Sequence, residues 1–218
     1  MTINTQQNRK KLVILISGRG SNMLALLKAN ITNKWPAEIC CVISNNLNAE
    51  GIKSAQSLGI NTKIINHLDY NSREEFDEAL LKEIDKSNPD YIILAGFMRI
   101  LTETFVKYYY GRLINIHPSL LPLFKGLNTH ERVLNSGLCF HGCTVHFVTP
   151  LLDDGPIIAQ GIVPVYLDDT IDTLSNRVLQ IEHITLVNTV EWLIYDYIQL
   201  NGNIVKIKNK KHKLFIME

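Results

Sequence analysis

Along most of the chain, short runs of continuous apolar residues alternate with stretches whose apolar residues recur every three or four positions. "KLVILIS" (11–17), "EICCVIS", "NTKIIN", "DYIILAG" and "RLINIH" read as strands, with amphipathic segments between most of them. Continuous apolarity suits strands covered on both faces, so this rhythm predicts βαβ units and an α/β fold with a mostly parallel central sheet. The clearest helix is "SREEFDEALLKEIDKSN": Ser72 can cap it, Glu75 can complete a capping box, and Phe76, Leu80 and Ile84 share one face before Pro89 ends it. After Pro118 the texture changes to turns, then "CTVHFV" and "PIIAQGIVPVY", then a helical segment over about 170–197 with Leu174, Val178, Ile181 and Thr185 along one inward stripe. The tail "GNIVKIKNKKHKLFIME" predicts a small hairpin over about 200–218, turning around "NKKHK". Nothing in the pattern marks a repeat, a linker or a second domain, so one domain is expected over 1–218, with 1–10 flexible.

Charge narrows the class of function. Lys plus Arg (22) nearly balances Asp plus Glu (21), so no global basic field recruits nucleic acid, and a small-molecule enzyme fits better. "MTINTQQNRKK" lacks the apolar core of a signal peptide, and no run reaches the roughly 18 apolar residues of a membrane span, so no membrane contact and a cytoplasmic location are expected. Cys40 and Cys41, adjacent on a strand, would point to opposite faces and make a poor disulfide framework. "CFHGCTVH" groups Cys139, His141, Cys143 and His146, but their spacing matches no standard tetrahedral pattern, and no metal is expected.

Three stretches could carry chemistry. In "NIHPSLLP" (115–122), Asn115 and His117 lie two apart on an extended segment and so aim at one side, although a strand-end cap and a carbonyl partner would also account for them. "SGRGSNM" (17–23) is a Gly-containing turn between strand and helix that suits a phosphate; a tight structural turn accounts for Gly18 and Gly20 about as well. It is neither a dinucleotide fingerprint nor a Walker loop. "TPLLDDGPII" places Asp153 and Asp154 in a turn, where a carboxylate near an imidazole would support its charged form. Gly155 beside them permits a mobile loop. In an open parallel sheet, the first-strand loop, "AGFMRIL" (95–101) and "NIHPSLLP" share the carboxyl edge, where ligands bind. There Met98, Ile100 and Leu101 could line an apolar slot or simply belong to the core.

Taken in order, "LISGRGSNM", "LAGFMRIL", "INIHPSLLP", "HGCTVHFVTPLLDDGPII" and "RVLQIEH" resemble the phosphoribosylglycinamide formyltransferase (GAR transformylase) family of purine biosynthesis, from 11 to about 197. The resemblance implies a Rossmann-like formyltransferase fold that transfers a formyl group from 10-formyltetrahydrofolate to the amine of glycinamide ribonucleotide, GAR. It implies catalytic Asn115, His117 and Asp153; a GAR site of Gly20, Ser21, Asn22, Gly96, Pro118 and Glu182; and a folate side of Arg73, Met98, Arg99, Ile100, Leu101, His146, Val148 and Asp153. Leu179 and Asn128 depart from residues found in other members. The partners implied are these two small molecules, with the protein a monomer or homodimer. Two relatives of the same fold remain as rivals: a formyltetrahydrofolate hydrolase, expected to need a further N-terminal domain, and a methionyl-tRNA formyltransferase, expected to need a C-terminal one. A non-catalytic phosphosugar or folate binding module would keep "GRGSN" and lose the triad.

Overall fold

The computed structural model describes residues 9–210 and 212–217; the flexibility expected of 1–8 lies outside the described residues, while Lys10 already belongs to the first strand. The elements run β1 (Lys10–Ile16), α1 (Ser21–Thr32), β2 (Ala37–Ser44), α2 (Glu50–Ser57), β3 (Thr62–Ile64), α3 (Arg73–Asp85), β4 (Tyr91–Leu94), α4 (Glu103–Tyr108) and β5 (Leu113–His117). They continue as α5 (Thr129–Ser136), β6 (Phe140–Phe147), β7 (Ile157–Pro164), α6 (Ile171–Ile194), β8 (Ile198–Asn201), β9 (Ile204–Ile207) and β10 (Leu214–Ile216). One eight-stranded sheet has the order β10-β7-β6-β5-β4-β1-β2-β3. Only β6 runs against its neighbours; every other pair in this sheet is parallel.

Each strand feeds both layers because successive side chains leave opposite faces. From β1, Leu12, Ile14 and Ile16 join α1, α2, α5 and α6 in one core, whereas Val13 and Leu15 join α3 and α4 in the other. The expected stripe of α6 is in place, with Leu174, Val178, Ile181 and Thr185 all buried.

Two local expectations shift. Ser72 does cap α3, accepting the Glu75 N–H at 3.1 Å, but Glu75 Oε2 accepts from the Asn71 N–H at 3.0 Å instead of closing the box on Ser72. The tail hairpin turns earlier than predicted, at Gly202-Asn203 between β8 and β9, because glycine with φ 58 meets the positive-φ need of a two-residue hairpin loop. Leu214–Ile216 instead adds to the edge of the main sheet, parallel to β7, where Phe215 stacks on Trp192 of α6 with ring centroids 5.7 Å apart.

Candidate active site

The carboxyl ends of β1, β4 and β5 meet at one edge, and the turn after β1 is tied to the segment after β4. The Ser17 N–H donates to the Gly96 carbonyl at 3.1 Å, and Ser17 Oγ accepts the Met98 N–H at 2.7 Å. Ser17 Oγ in turn donates to Asn45 Oδ1 at 2.6 Å. Ser17 and Asn45 were not among the predicted site residues; a serine at a strand end carries no signal until its partners across the sheet edge are known.

Gly20 stands at the N-cap of α1 with φ 72, no side chain caps the helix, and its first turn holds no acidic residue. Its leading N–H groups therefore suit an anion. Behind them Asn22 Nδ2 donates to Glu182 Oε2 at 2.7 Å, leaving Asn22 Oδ1 buried without a protein partner among the described residues. Burial pushes the Glu182 carboxyl up to about 7, with the Asn22 hydrogen bond opposing the rise.

Beside this turn lies a cleft of about 600 Å³. Gly96, Met98, Arg99, Ile100, Leu101, Asn115, His117, Pro118, His146, Val148 and Asp153 all line it. Met98 and Ile100 are 71% and 57% exposed, which excludes a core role, whereas Leu101 is buried. Arg73 does not line the cleft. It occupies the first turn of α3, where it is exposed.

On β5, Asn115 and His117 do share one face, opposite the core-facing Ile114 and Ile116, and the antiparallel β6 sets His146 and Thr144 directly across from them. His146 Nδ1 lies 2.9 Å from the Phe147 carbonyl, which can only accept, so Nδ1 carries the hydrogen. Burial lowers the pKa of His146 and favours the neutral ring. Its free Nε2 accepts from Asn115 Nδ2 at 3.2 Å, fixing the amide and leaving one N–H of Asn115 for the cleft. By the same alternation, His141 and Cys143 face the α6 side of β6 while His146 faces the cleft, and Cys139 is exposed ahead of the strand, so the four residues of "CFHGCTVH" do not converge. His141 Nε2 meets His130 Nδ1 at 3.1 Å, and burial pushes His141 down to about 3, so it pairs as a neutral ring.

His117 Nε2 lies 3.1 Å from the Phe124 carbonyl and Nδ1 lies 3.4 Å from Asp153 Oδ2. Asp153 has φ 48, and its Oδ2 accepts the Gly126 N–H at 2.9 Å. An amide, an imidazole and a carboxylate thus converge on a partly apolar cleft, which Ser17 ties to the turn before α1.

A family model described as formyl transferase matches residues 10–190. The chain belongs to the formyl transferase family. The phosphoribosylglycinamide formyltransferase of Escherichia coli (strain K12) is 44% identical over 192 residues, covering 88% of this chain and 91% of that protein. The trifunctional purine biosynthetic protein adenosine-3 of Gallus gallus is 48% identical over 178 residues, 82% of this chain but only 18% of that much longer relative. Among solved structures, the phosphoribosylglycinamide formyltransferase of Coxiella burnetii in complex with CHES has a TM-score of 0.89 at 43% identity, covering 95% of this chain and 99% of that one. A formyltetrahydrofolate deformylase from Pseudomonas syringae pv. tomato shares the fold at a TM-score of 0.86 and 25% identity, with 92% of this chain and 66% of that one covered.

Proposed function

We propose that this formyl transferase moves the formyl group of 10-formyltetrahydrofolate to the amine of glycinamide ribonucleotide, giving formyl-GAR and tetrahydrofolate in purine biosynthesis. The observation that carries the reading is the convergence of Asn115, His117 and Asp153 on one cleft, whose Gly96 and Met98 are hydrogen-bonded to Ser17 of the turn leading into α1. The folate occupies the slot of Met98, Arg99, Ile100, Leu101 and Val148, with His146 on its inner wall. The nucleotide phosphate sits on the N–H groups of Gly20, Ser21 and Asn22, its ribose hydroxyls on Glu182, and its amine reaches past Gly96 and Pro118.

When the amine attacks the formyl carbon, negative charge grows on the formyl oxygen. Donors already aimed there lower the barrier without reorganising, and losing one costs about 2.7–4 kcal/mol. The free N–H of Asn115 is one donor, and His117 is the other once its Nε2 hydrogen turns from the Phe124 carbonyl, 3.1 Å away, to the formyl oxygen. Asp153, directly or through a water, carries the proton from the attacking amine towards the departing folate nitrogen. The same reading makes the protein a cytoplasmic monomer or homodimer with small-molecule partners and no nucleic acid.

Purified protein is expected to consume 10-formyltetrahydrofolate quickly only when glycinamide ribonucleotide is present, because the held amine has an entropic advantage over a passing water. Measuring tetrahydrofolate and formylated product together decides it. Formate released at a comparable rate without the nucleotide would make the protein a hydrolase, formylated methionyl-tRNA would make it that transferase, and binding without turnover would make it a binding module.

Glu182 has its own test. A carboxyl whose pKa is about 7 in the folded protein and near 4.3 in the unfolded chain binds more protons when folded. Stability therefore falls as pH rises through that window, by about 4 kcal/mol in all. Glu182→Gln is expected to lose that slope and to melt at or above the wild-type temperature at pH 8. It should also raise the Michaelis constant for the nucleotide about tenfold or more, since hydrogen bonds to a charged group are the stronger ones. An unchanged Michaelis constant would remove Glu182 from the nucleotide site.

A further inference from the structure

The two titratable groups of the proposed triad are held by one short turn that does not itself belong to either strand. Residues 124–127 lie between β5 and α5. The Phe124 carbonyl accepts from His117 Nε2 at 3.1 Å, and the Gly126 N–H donates to Asp153 Oδ2 at 2.9 Å. Because a carbonyl only accepts, the first bond fixes the hydrogen on Nε2 and turns Nδ1 towards Asp153. The turn is in an unusual state: Phe124 has φ 53 and Gly126 φ 80, followed by Asn128 at φ 56. A bulky side chain at positive φ is disfavoured and persists only where its surroundings hold it.

What holds it is Arg132, one turn into α5. Its Nη1 donates to the Lys125 carbonyl at 2.7 Å and to the Leu127 carbonyl at 3.3 Å. Its guanidinium also lies over the Phe124 ring, 5.2 Å from the centroid, so the planar fork grips the turn on both sides of Gly126. Arg132 is exposed and does not line the cleft.

We infer that Arg132 is a positioning residue, which by clamping the 124–127 turn sets the orientation of His117 and the place of Asp153 without touching either substrate. The inference rests on the formyl-transfer reading for its kinetic test but not for its spectroscopic one. In the full-length chain, Arg132→Ala is expected to lower kcat about ten- to a hundredfold, the scale on which a small misplacement of reacting groups acts, with both Michaelis constants little changed. Arg132→Lys, which keeps the charge but not the fork or the stacking, should recover only a minor part, whereas added guanidinium ion should partly rescue the alanine variant. In ¹⁵N-histidine spectra, with the His117 signal assigned by its loss in His117→Gln, the wild-type ring should report a hydrogen on Nε2 bonded to a carbonyl. Arg132→Ala should report a changed, averaged ring. Wild-type kcat in Arg132→Ala, or a loss of activity that only follows the folded fraction while the His117 signal stays put, overturns the inference. A wild-type protein without transferase activity, in which Arg132→Ala still moves the His117 signal, overturns the proposed reaction and leaves the clamp standing.

Discussion

Replacing Asp153 by asparagine is expected to lower turnover about 10²- to 10⁴-fold while leaving both Michaelis constants near their wild-type values. The change is nearly isosteric. An amide oxygen can still accept the Gly126 N–H, which Asp153 Oδ2 takes at 2.9 Å, so the backbone around position 153 keeps its anchor. What disappears is the negative charge 3.4 Å from His117 Nδ1 and a group able to accept a proton in the cleft. Steady-state kinetics with each substrate varied in turn check this, and turnover within about tenfold of wild type would remove Asp153 from the proton path. A rise confined to the folate Michaelis constant would instead make it a binding residue.

Gly155→Ala is expected to destabilise the fold by more than about 3 kcal/mol and to abolish most activity with it. A Cβ at this position would stand 1.7 Å from the Phe147 carbonyl oxygen, and that neighbour is backbone, which cannot swing aside. Making room means separating the end of β6 from the start of β7 and breaking the bond from the Phe147 N–H to the Pro156 carbonyl, 3.0 Å long. The same displacement reaches Asp153, two residues earlier, and the Phe147 carbonyl that fixes the tautomer of His146. Thermal melts should show a drop on the order of 6 °C or more for a chain of this size. Gly18→Ala, where a Cβ meets nothing within 4 Å, is the matched control and should melt near the wild-type temperature.

Glycine at 155 also shows what the sequence could and could not disclose. Beside two aspartates it suggested freedom of movement; what the fold adds is that its φ is not in the left-handed region and its absent side chain is needed for close approach. The strands of the sheet were legible because a short continuous apolar run, set between amphipathic helices, fits little besides a strand covered on both faces. Asn115 and His117 were legible as a pair because the two-residue period of a strand is rigid. Arg73 stands outside the cleft lining, exposed in the first turn of α3, and its part in holding the folate stays a proposal. His146 was read as a folate contact and weighed as a metal ligand; its hold on Asn115 comes from the β5–β6 register, which nothing local encodes. The 124–127 turn was silent for the same reason, since its contribution is made by a carbonyl and an N–H that nearly every residue type possesses.

The two outermost strands of the main sheet, β3 and β10, are three residues long each. A sheet grows by templating: an unpaired strand edge offers its N–H and C=O groups to any other extended chain, and a long apolar edge invites self-association. Here β7, with eight residues and largely apolar, would be such an edge; β10 covers its middle, bonding the Gln160 N–H to the Lys213 carbonyl and the Ile162 carbonyl to the Met217 N–H. Loss of β10 would therefore be felt as aggregation before it was felt as lost chemistry. Colloidal behaviour at high concentration, and not turnover, is the property that this short strand protects.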